Sequence, residues 1–353
     1  MKPERKFWQS ALFWNVAPIL AALLFTTLLM LAVGAPPLRA FAEILQGAFE
    51  SPQKWADVAM AWAPLALIGA GMSLTFAAGL WNIGAEGQMI LGAICATWVA
   101  RNVTLPQPVL LGLIVLAGLA GGALWGLLTG SLKVYARVHE IFAGLGLNFI
   151  ATALIIWLIF NPWKPERGAT MSGTVPFPEA AWVPRLGNTR LAPLSIVLAL
   201  IAVLTAYFLL KGTRFGLELR AMGKNLRAAF LQGIPTQRHT LVAFAICGAL
   251  AGLAGALQAT AVYHRLIPRI SGGLGYTGML VVILANYRPE LVPAVAIFFA
   301  AIGVGSPRLE LNLQLDASLG GVIEGTVVLF VLLGAGLRKR LGGVRPSSTS
   351  EGS

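Results

Sequence analysis

Leu80-Trp81-Asn82-Ile83-Gly84-Ala85-Glu86-Gly87-Gln88-Met89 separates two long apolar runs with two glycines, amides on both sides and a carboxylate. A backbone group without a partner in hydrocarbon costs several kcal/mol, so irregular chain at that depth persists only against protein or a water-filled cavity. Gly84 and Gly87 let the chain turn or let another backbone approach, and Asn82, Glu86 and Gln88 supply donors and acceptors. Two readings of these side chains stand. Either they serve a polar solute or a broken helix end, or the stretch is a plain turn whose Glu86 caps the next helix, where a carboxylate suits the dipole.

The flanks of this stretch set the class of protein. Only 26 Lys+Arg and 14 Asp+Glu occur in 353 residues, 11% charged, against roughly 25% in soluble domains. The hydrophobic fraction is 57% and mean hydropathy is +0.77, with 40 Gly and 20 Pro. These values exclude a soluble enzyme, a disordered chain and a collagen. Cys95 and Cys247 lie inside apolar runs and read as packing residues, which excludes a disulfide scaffold. The net charge of +12 sits in short loops, the pattern of membrane topology and not of a nucleic-acid-binding face.

A hydrocarbon core of about 30 Å needs about 20 mainly apolar residues per helix. Ten such runs can be placed, at 11–34, 57–80, 83–100, 108–131, 141–160, 192–210, 239–262, 271–286, 290–306 and 317–337. The expected fold is all-α and polytopic. Lys2, Arg5 and Lys6 precede a first run longer than the roughly 7–15 residues of a signal-peptide core, which reads as an uncleaved anchor with its N-terminus inside. Threading ten spans from there puts 16 of 26 basic residues in the cytoplasm, most densely at 211–227 and 338–340, with both termini inside. The expected organisation is a cytoplasmic N-terminus at 1–10, a membrane domain at 11–340 and a flexible cytoplasmic tail at 341–353.

Two connections are long. Residues 161–191 carry Pro162, Pro165, Pro176, Pro178 and Pro184, with Trp163 and Trp182 expected at headgroup depth, and form a stiffened external segment. Residues 211–238 are too polar to span. Leu217 to Leu231 reads as one amphipathic helix, with Leu219, Met222, Leu226, Ala229 and Phe230 on one face and Arg220, Lys224 and Arg227 away from it.

A second glycine-rich interruption, Ser271-Gly272-Gly273-Leu274-Gly275-Tyr276-Thr277-Gly278, precedes the eighth run. Short glycine-broken segments in both halves of a transporter point to its substrate path, and an inverted repeat of runs 2–5 and 7–10 is the corresponding hypothesis. Glu324 in the last run must face protein or water. Asn148 and Gln258 read first as groups bonding across helices. His139, His239 and His264 lack a second ligand at i+4, so no metal site is expected. Gly223-Lys224 is followed by Asn225 and not by Ser or Thr, so no phosphate-binding loop is present. With Glu86 and Glu324 the only deep acids, a self-contained proton drive is disfavoured, and energy is expected from a partner.

The run Asn82-Ile83-Gly84-Ala85-Glu86-Gly87-Gln88-Met89-Ile90-Leu91-Gly92-Ala93 resembles the second and third spans of permease subunits of ABC importers for branched-chain amino acids, simple sugars and nucleosides, and is most similar to the nucleoside and simple-sugar branch. Gly216-Leu217-Glu218-Leu219-Arg220-Ala221-Met222-Gly223-Lys224-Asn225-Leu226-Arg227-Ala228-Ala229-Phe230-Leu231-Gln232-Gly233-Ile234 resembles the cytoplasmic loop of the same group, approximately G-x-N-P-x-A-A-x-x-x-G-I. Leu226 stands where that pattern has Pro, which leaves the helix start less sharply fixed. The likeness covers nearly all of 57–337.

The resemblance implies a subunit that catalyses no bond chemistry. The polar groups within the spans, Asn82, Glu86, Gln88 and Glu324, are the candidates to border its path for a nucleoside or simple sugar, with Glu324 alternatively neutral or bonded to a neighbour. Its loop would dock on an ATPase through Arg220, Gly223, Asn225, Ala228, Ala229 and Gly233. It further implies a second permease subunit, identical or similar, two ATPases that hold ATP and Mg, an extracytoplasmic solute-binding protein, and residence in a bacterial inner membrane. Rival expectations are a stand-alone carrier or channel, then an intramembrane enzyme, which the lack of paired acids or Ser/His spacing disfavours.

Overall fold

Each of the ten apolar runs becomes a helix in the computed structural model of the chain, which describes residues 11–32, 34–165 and 173–341. The helices are α1 (Ala11–Ala32), α2 (Pro37–Phe49), α3 (Pro52–Ala77), α4 (Ala85–Asn102), α5 (Gln107–Val134), α6 (Glu140–Phe160), α7 (Pro193–Gly212), α8 (Arg214–Lys224), α9 (Leu226–Leu231), α10 (Thr236–Leu257), α11 (Leu274–Leu284), α12 (Val292–Gly305), α13 (Pro307–Leu313) and α14 (Leu319–Leu341). The expectations for residues 1–10 and for the tail beyond 341 lie outside the described residues.

Among the described residues seven helices are long and apolar enough to cross a membrane: α3, α5, α6, α7, α10 with the turn after it, α12 with α13, and α14. A bent pair of α1 and α2 makes an eighth if it counts as one span. The run at 83–100 becomes the 18-residue α4, and the run at 271–286 shrinks to the 11 residues of α11. Eleven residues rise about 16 Å, roughly half the hydrocarbon thickness. Gly272 and Gly273 are used up in a turn before α11 and the helix ends at Leu284, which is why a run of spanning length gives a helix that is not. The amphipathic α2, opened by Pro37, and the short α13 lie between the apolar runs.

The chain packs as two units. In one, formed by residues 1–47 and 305–353, α1 lies along α14 with Phe25 against Phe330, ring centroids 5.6 Å apart. In the same unit Glu43 of α2 accepts hydrogen bonds from Arg308 Nε (2.8 Å) and Asn312 Nδ2 (2.7 Å) of α13.

The second unit, Ala48–Val304, is organised by glycine. Gly118, Gly122 and Gly126 on α5 face Gly248 and Gly252 on α10 so closely that a Cβ on Gly122 or Gly248 would fall on the carbonyl of the other. α4 closes the trio, with Gly92 against the backbone of Gly252 and Gly255 against the Met89 carbonyl. Between apolar helices in lipid the hydrophobic effect gives little pairing preference, and small residues let backbones meet and gain dispersion contacts instead. The enclosed α3 joins through Gly71, where a Cβ would lie 2.9 Å from Cys247 Cα of α10.

α10 ends in a π-helical turn, Gln258–Tyr263, and His264 follows in the left-handed region (φ 54°). The segment after residue 173 is tied to that turn: Phe177 N–H donates to the His264 carbonyl (2.8 Å) and Val183 N–H to that of Thr260 (3.3 Å). The Trp182 ring stacks on His264 (4.3 Å) and its Nε1 donates to the Phe177 carbonyl (2.9 Å). Trp182 therefore anchors the segment to the end of α10.

Overpacking a tight contact costs about 1–3 kcal/mol even where neighbours can yield, and backbone cannot. Gly252→Leu is expected to lower the yield of monodisperse protein in detergent severalfold by size-exclusion chromatography. Gly112→Leu on α5, where a Cβ meets open space, should leave that yield unchanged.

Candidate functional site

α3 stops for a local reason. Gly79 takes φ +75°, its N–H donates to the Phe76 carbonyl (3.0 Å) and Leu80 N–H donates to that of Thr75 (2.9 Å). This is the paired closure of a Schellman motif, which glycine adopts without strain. The chain then runs without helix until Ala85. Gly84 itself is right-handed (φ −69°), so its glycine answers to proximity: a Cβ on Gly144 of α6 would lie 2.7 Å from Gly84 N.

Asn82 and Gln88 are fully buried and bonded to each other. Asn82 Nδ2 donates to Gln88 Oε1 (2.9 Å) and Gln88 Nε2 to Asn82 Oδ1 (3.1 Å), while Asn82 Nδ2 also reaches Cys247 Sγ (3.0 Å). The pair closes the break like a clasp across six residues.

Glu86 lies in the first turn of α4 and is 7% exposed. Its carboxylate reaches another helix. Oε1 accepts from Gly273 N–H (3.0 Å) and Oε2 from Gly275 N–H (2.7 Å). Both donors belong to the start of α11, which follows Gly272 and Gly273 in left-handed turns (φ 54° and 85°). A carboxylate at a helix N-terminus meets unsatisfied N–H groups and the positive end of the dipole. Gly275 must be glycine, since a Cβ there would lie 2.5 Å from Glu86 N.

Asn148 of α6 completes the node. Its Oδ1 accepts from Gly87 N–H (2.8 Å) and its Nδ2 donates to the Ile83 carbonyl (3.0 Å) and Tyr276 Oη (3.2 Å). One side chain thus holds both sides of the break and α11 together. The structure brings Asn82, Glu86 and Gln88 into one cluster, and Glu324 lies half-buried on α14, in the other packing unit. The geometry adds Asn148, Tyr276 and Cys247. Tyr276 stood inside the second glycine-rich stretch and carried a signal, whereas nothing local in sequence ties Asn148 to residues more than sixty positions earlier.

The connection from α7 to α10 differs from a single amphipathic helix. Asn225 is extended (φ −159°, ψ 103°) and breaks it into α8 and α9, accepting from Ala228 N–H (3.0 Å) as the cap of α9. That cap does the work of the missing proline. The break changes the register: Leu219, Met222 and Ala229 are buried, while Leu226, Phe230 and Leu231 are exposed, Phe230 to 65% and Leu231 to 77%. The expectation that Leu226 and Phe230 share the buried face is thereby corrected.

Gly223 ends α8 against the end of α3, where a Cβ would fall on the Ala77 carbonyl and lie 3.2 Å from Gly79 N. Arg220 Nε donates to the Gly216 carbonyl (3.3 Å) within its own helix. Gly233, at φ +82°, turns the chain toward α10, with its N–H donating to the Phe230 carbonyl (3.0 Å). Glu218 accepts from Arg214 Nε (3.0 Å) and lies 2.6 Å from His239 Nε2, which fastens α8 to the start of α10.

Apolar helices packed through glycine around a polar broken-helix node are the make-up of a multi-pass membrane permease. The family model described as branched-chain amino acid transport system / permease component matches residues 55–332, and the chain belongs to that family, as the permease subunit of an ABC transporter. It is 32% identical to the glucose ABC transporter permease protein TsgB13 of Haloferax volcanii, over 90% of this chain and 86% of that one. It is 26% identical to the guanosine ABC transporter permease protein NupP of Bacillus subtilis, over 92% and 94% of the two chains. The nucleoside ABC transporter permease protein NupB of Lactococcus lactis is 23% identical over 89% and 88%. These relatives fall in the nucleoside and simple-sugar branch that the two sequence motifs resemble.

Glu86→Gln leaves one N–H of α11 facing an amide NH2 and removes the charge from both hydrogen bonds. A hydrogen bond to a charged group contributes about 1.5–3 kcal/mol, so the variant is expected to unfold at clearly lower temperature in detergent. Glu86→Asp, too short to reach, should fall at least as far.

Proposed function

We propose that this permease carries a nucleoside or a simple sugar into the cell, driven by ATP hydrolysis on a separate ATPase subunit. The cargo reading rests on the names of its relatives, which include permeases for guanosine and for glucose. In this reading the chain lies in a bacterial inner membrane with its N-terminus inside, α8 and α9 in the cytoplasm and residues 161–191 outside. A second permease completes the path, as the paired relatives NupP and NupQ of Bacillus subtilis suggest. ATP and Mg are held by the ATPases, and a solute-binding protein delivers cargo from outside.

The observation that carries the mechanism is a continuous contact from the exposed loop to the buried node. Leu226, Phe230 and Leu231 offer apolar anchors, flanked by Arg220, Lys224 and Arg227, to an ATPase groove of complementary acidity. Asn225, Ala228, Ala229 and Gly233 set the shape of α9. Movement of α8 passes through Gly223 to Ala77 and Gly79, hence to the break that Glu86 joins to α11. Asn82, Glu86 and Gln88 then serve as the hinge bordering the path. Glu324 is assigned to the path because a carboxylate facing lipid costs a few kcal/mol at least. An inverted repeat is consistent with the two glycine breaks meeting at Glu86.

Two experiments test this. Phe230→Asp with Leu231→Asp is expected to weaken copurification with the ATPase at least tenfold, since truncated interface anchors cost about 2 kcal/mol or more, and to abolish ATP-dependent uptake of labelled guanosine or glucose in proteoliposomes. Uphill accumulation by this chain without an ATPase would overturn the reading. Glu324→Gln should slow uptake while leaving ATPase association intact; uptake at the original rate would remove Glu324 from the path.

A further inference from the structure

The node contains one polar group that its hydrogen bonds leave out. The indole Nε1 of Trp125, on α5, is buried and has no hydrogen-bond partner among the described residues. Among the described residues the other buried side-chain atoms without a partner are the hydroxyls of Thr97 and Ser195, which can turn to suit their surroundings, whereas an indole N–H is a donor only and points where the ring points. Its position is specific. A Cβ built on Gly87 would lie 2.9 Å from Trp125 Nε1 and 2.8 Å from Asn148 Oδ1, so the two atoms flank one glycine. Asn148 Oδ1 accepts a single hydrogen bond, from Gly87 N–H, and an amide oxygen can take two.

A buried donor without an acceptor bears its full desolvation cost. A transporter must hold two conformations close in free energy, and a group unsatisfied in one and paired in the other biases that balance directly. We propose that the Trp125 indole N–H is the alternate donor to Asn148 Oδ1, engaged when the break before α4 opens and Gly87 N–H is withdrawn. Trp125 is then a positioning residue that acts through Asn148 on the relative weight of the two states. The inference rests on the permease reading, because it requires an alternation that the ATPase drives. It also explains why position 87 carries no side chain: a methyl group there would crowd both donor and acceptor.

The test uses the assembled transporter with its ATPase, in lipid nanodiscs for spectra and in proteoliposomes for uptake. Ultraviolet resonance Raman spectra of the original protein minus those of Trp125→Phe isolate this one indole. The difference signal is expected to report a free N–H at rest and a hydrogen-bonded one when a non-hydrolysable ATP analogue traps the complex. Trp125→Phe should reduce ATP-driven uptake about fivefold, the size of one lost hydrogen bond, without lowering the resting unfolding temperature. Benzothienylalanine at 125, which keeps the ring outline and replaces N–H by sulfur, should do the same if the Phe variant folds poorly. An indole already bonded at rest, an unchanged signal on trapping, or uptake at the original rate in the sulfur analogue would each overturn the proposal. Absence of ATP-driven uptake by the unsubstituted complex would overturn the permease reading and this inference with it.

Discussion

The two hydrogen bonds from the start of α11 to the Glu86 carboxylate are the constraint on which the rest of the second packing unit depends. α11 is too short to be held by its own length, and its first N–H groups have no partner within the helix. A carboxylate supplied by another helix satisfies them and sets the helix against α4. Everything nearby serves to bring that side chain to its place. Gly79 stops α3, the Asn82–Gln88 clasp fixes the path of the loop, and Gly275 leaves room for Glu86 to approach.

The same arrangement joins chemistry to motion. A hinge made of side-chain hydrogen bonds can open by exchanging partners, whereas the glycine contacts of α4, α5 and α10 can only separate or stay. In the proposed cycle, the parts that move and the parts that hold are therefore built from different interactions. The loop formed by α8 and α9 touches the end of α3 through backbone at Gly223, where a push meets no rotatable side chain that would absorb it.

The helices were legible because apolar length is read directly from composition, and so was the break, because polar residues with glycine inside apolar sequence have few other uses. The clustering of Asn82, Glu86 and Gln88 followed from their closeness in sequence. Their partners did not. That Glu86 reaches Gly273 and Gly275 depends on how α4 and α11 converge, and that Asn148 bonds Gly87 depends on how α6 crosses the break; no periodicity encodes either. α11 was overestimated as a span because glycine counts as apolar in composition while behaving as a turn in the chain. In the α8–α9 connection the buried placement of Leu219, Met222 and Ala229 was legible, but that of Leu226 and Phe230 was not, since the extended Asn225 breaks the helix between them and α8.

The contact of backbone with backbone along α5 and α10 bears on how such a protein diversifies. Where neighbouring side chains interlock, a family can drift by exchanging a large residue on one side for a small one on the other. No such exchange exists where both sides are glycine, because neither partner has anything left to give up. Adaptation to a new cargo must then be confined to the faces of these helices turned away from Gly122, Gly248 and Gly252, with the trio inherited whole.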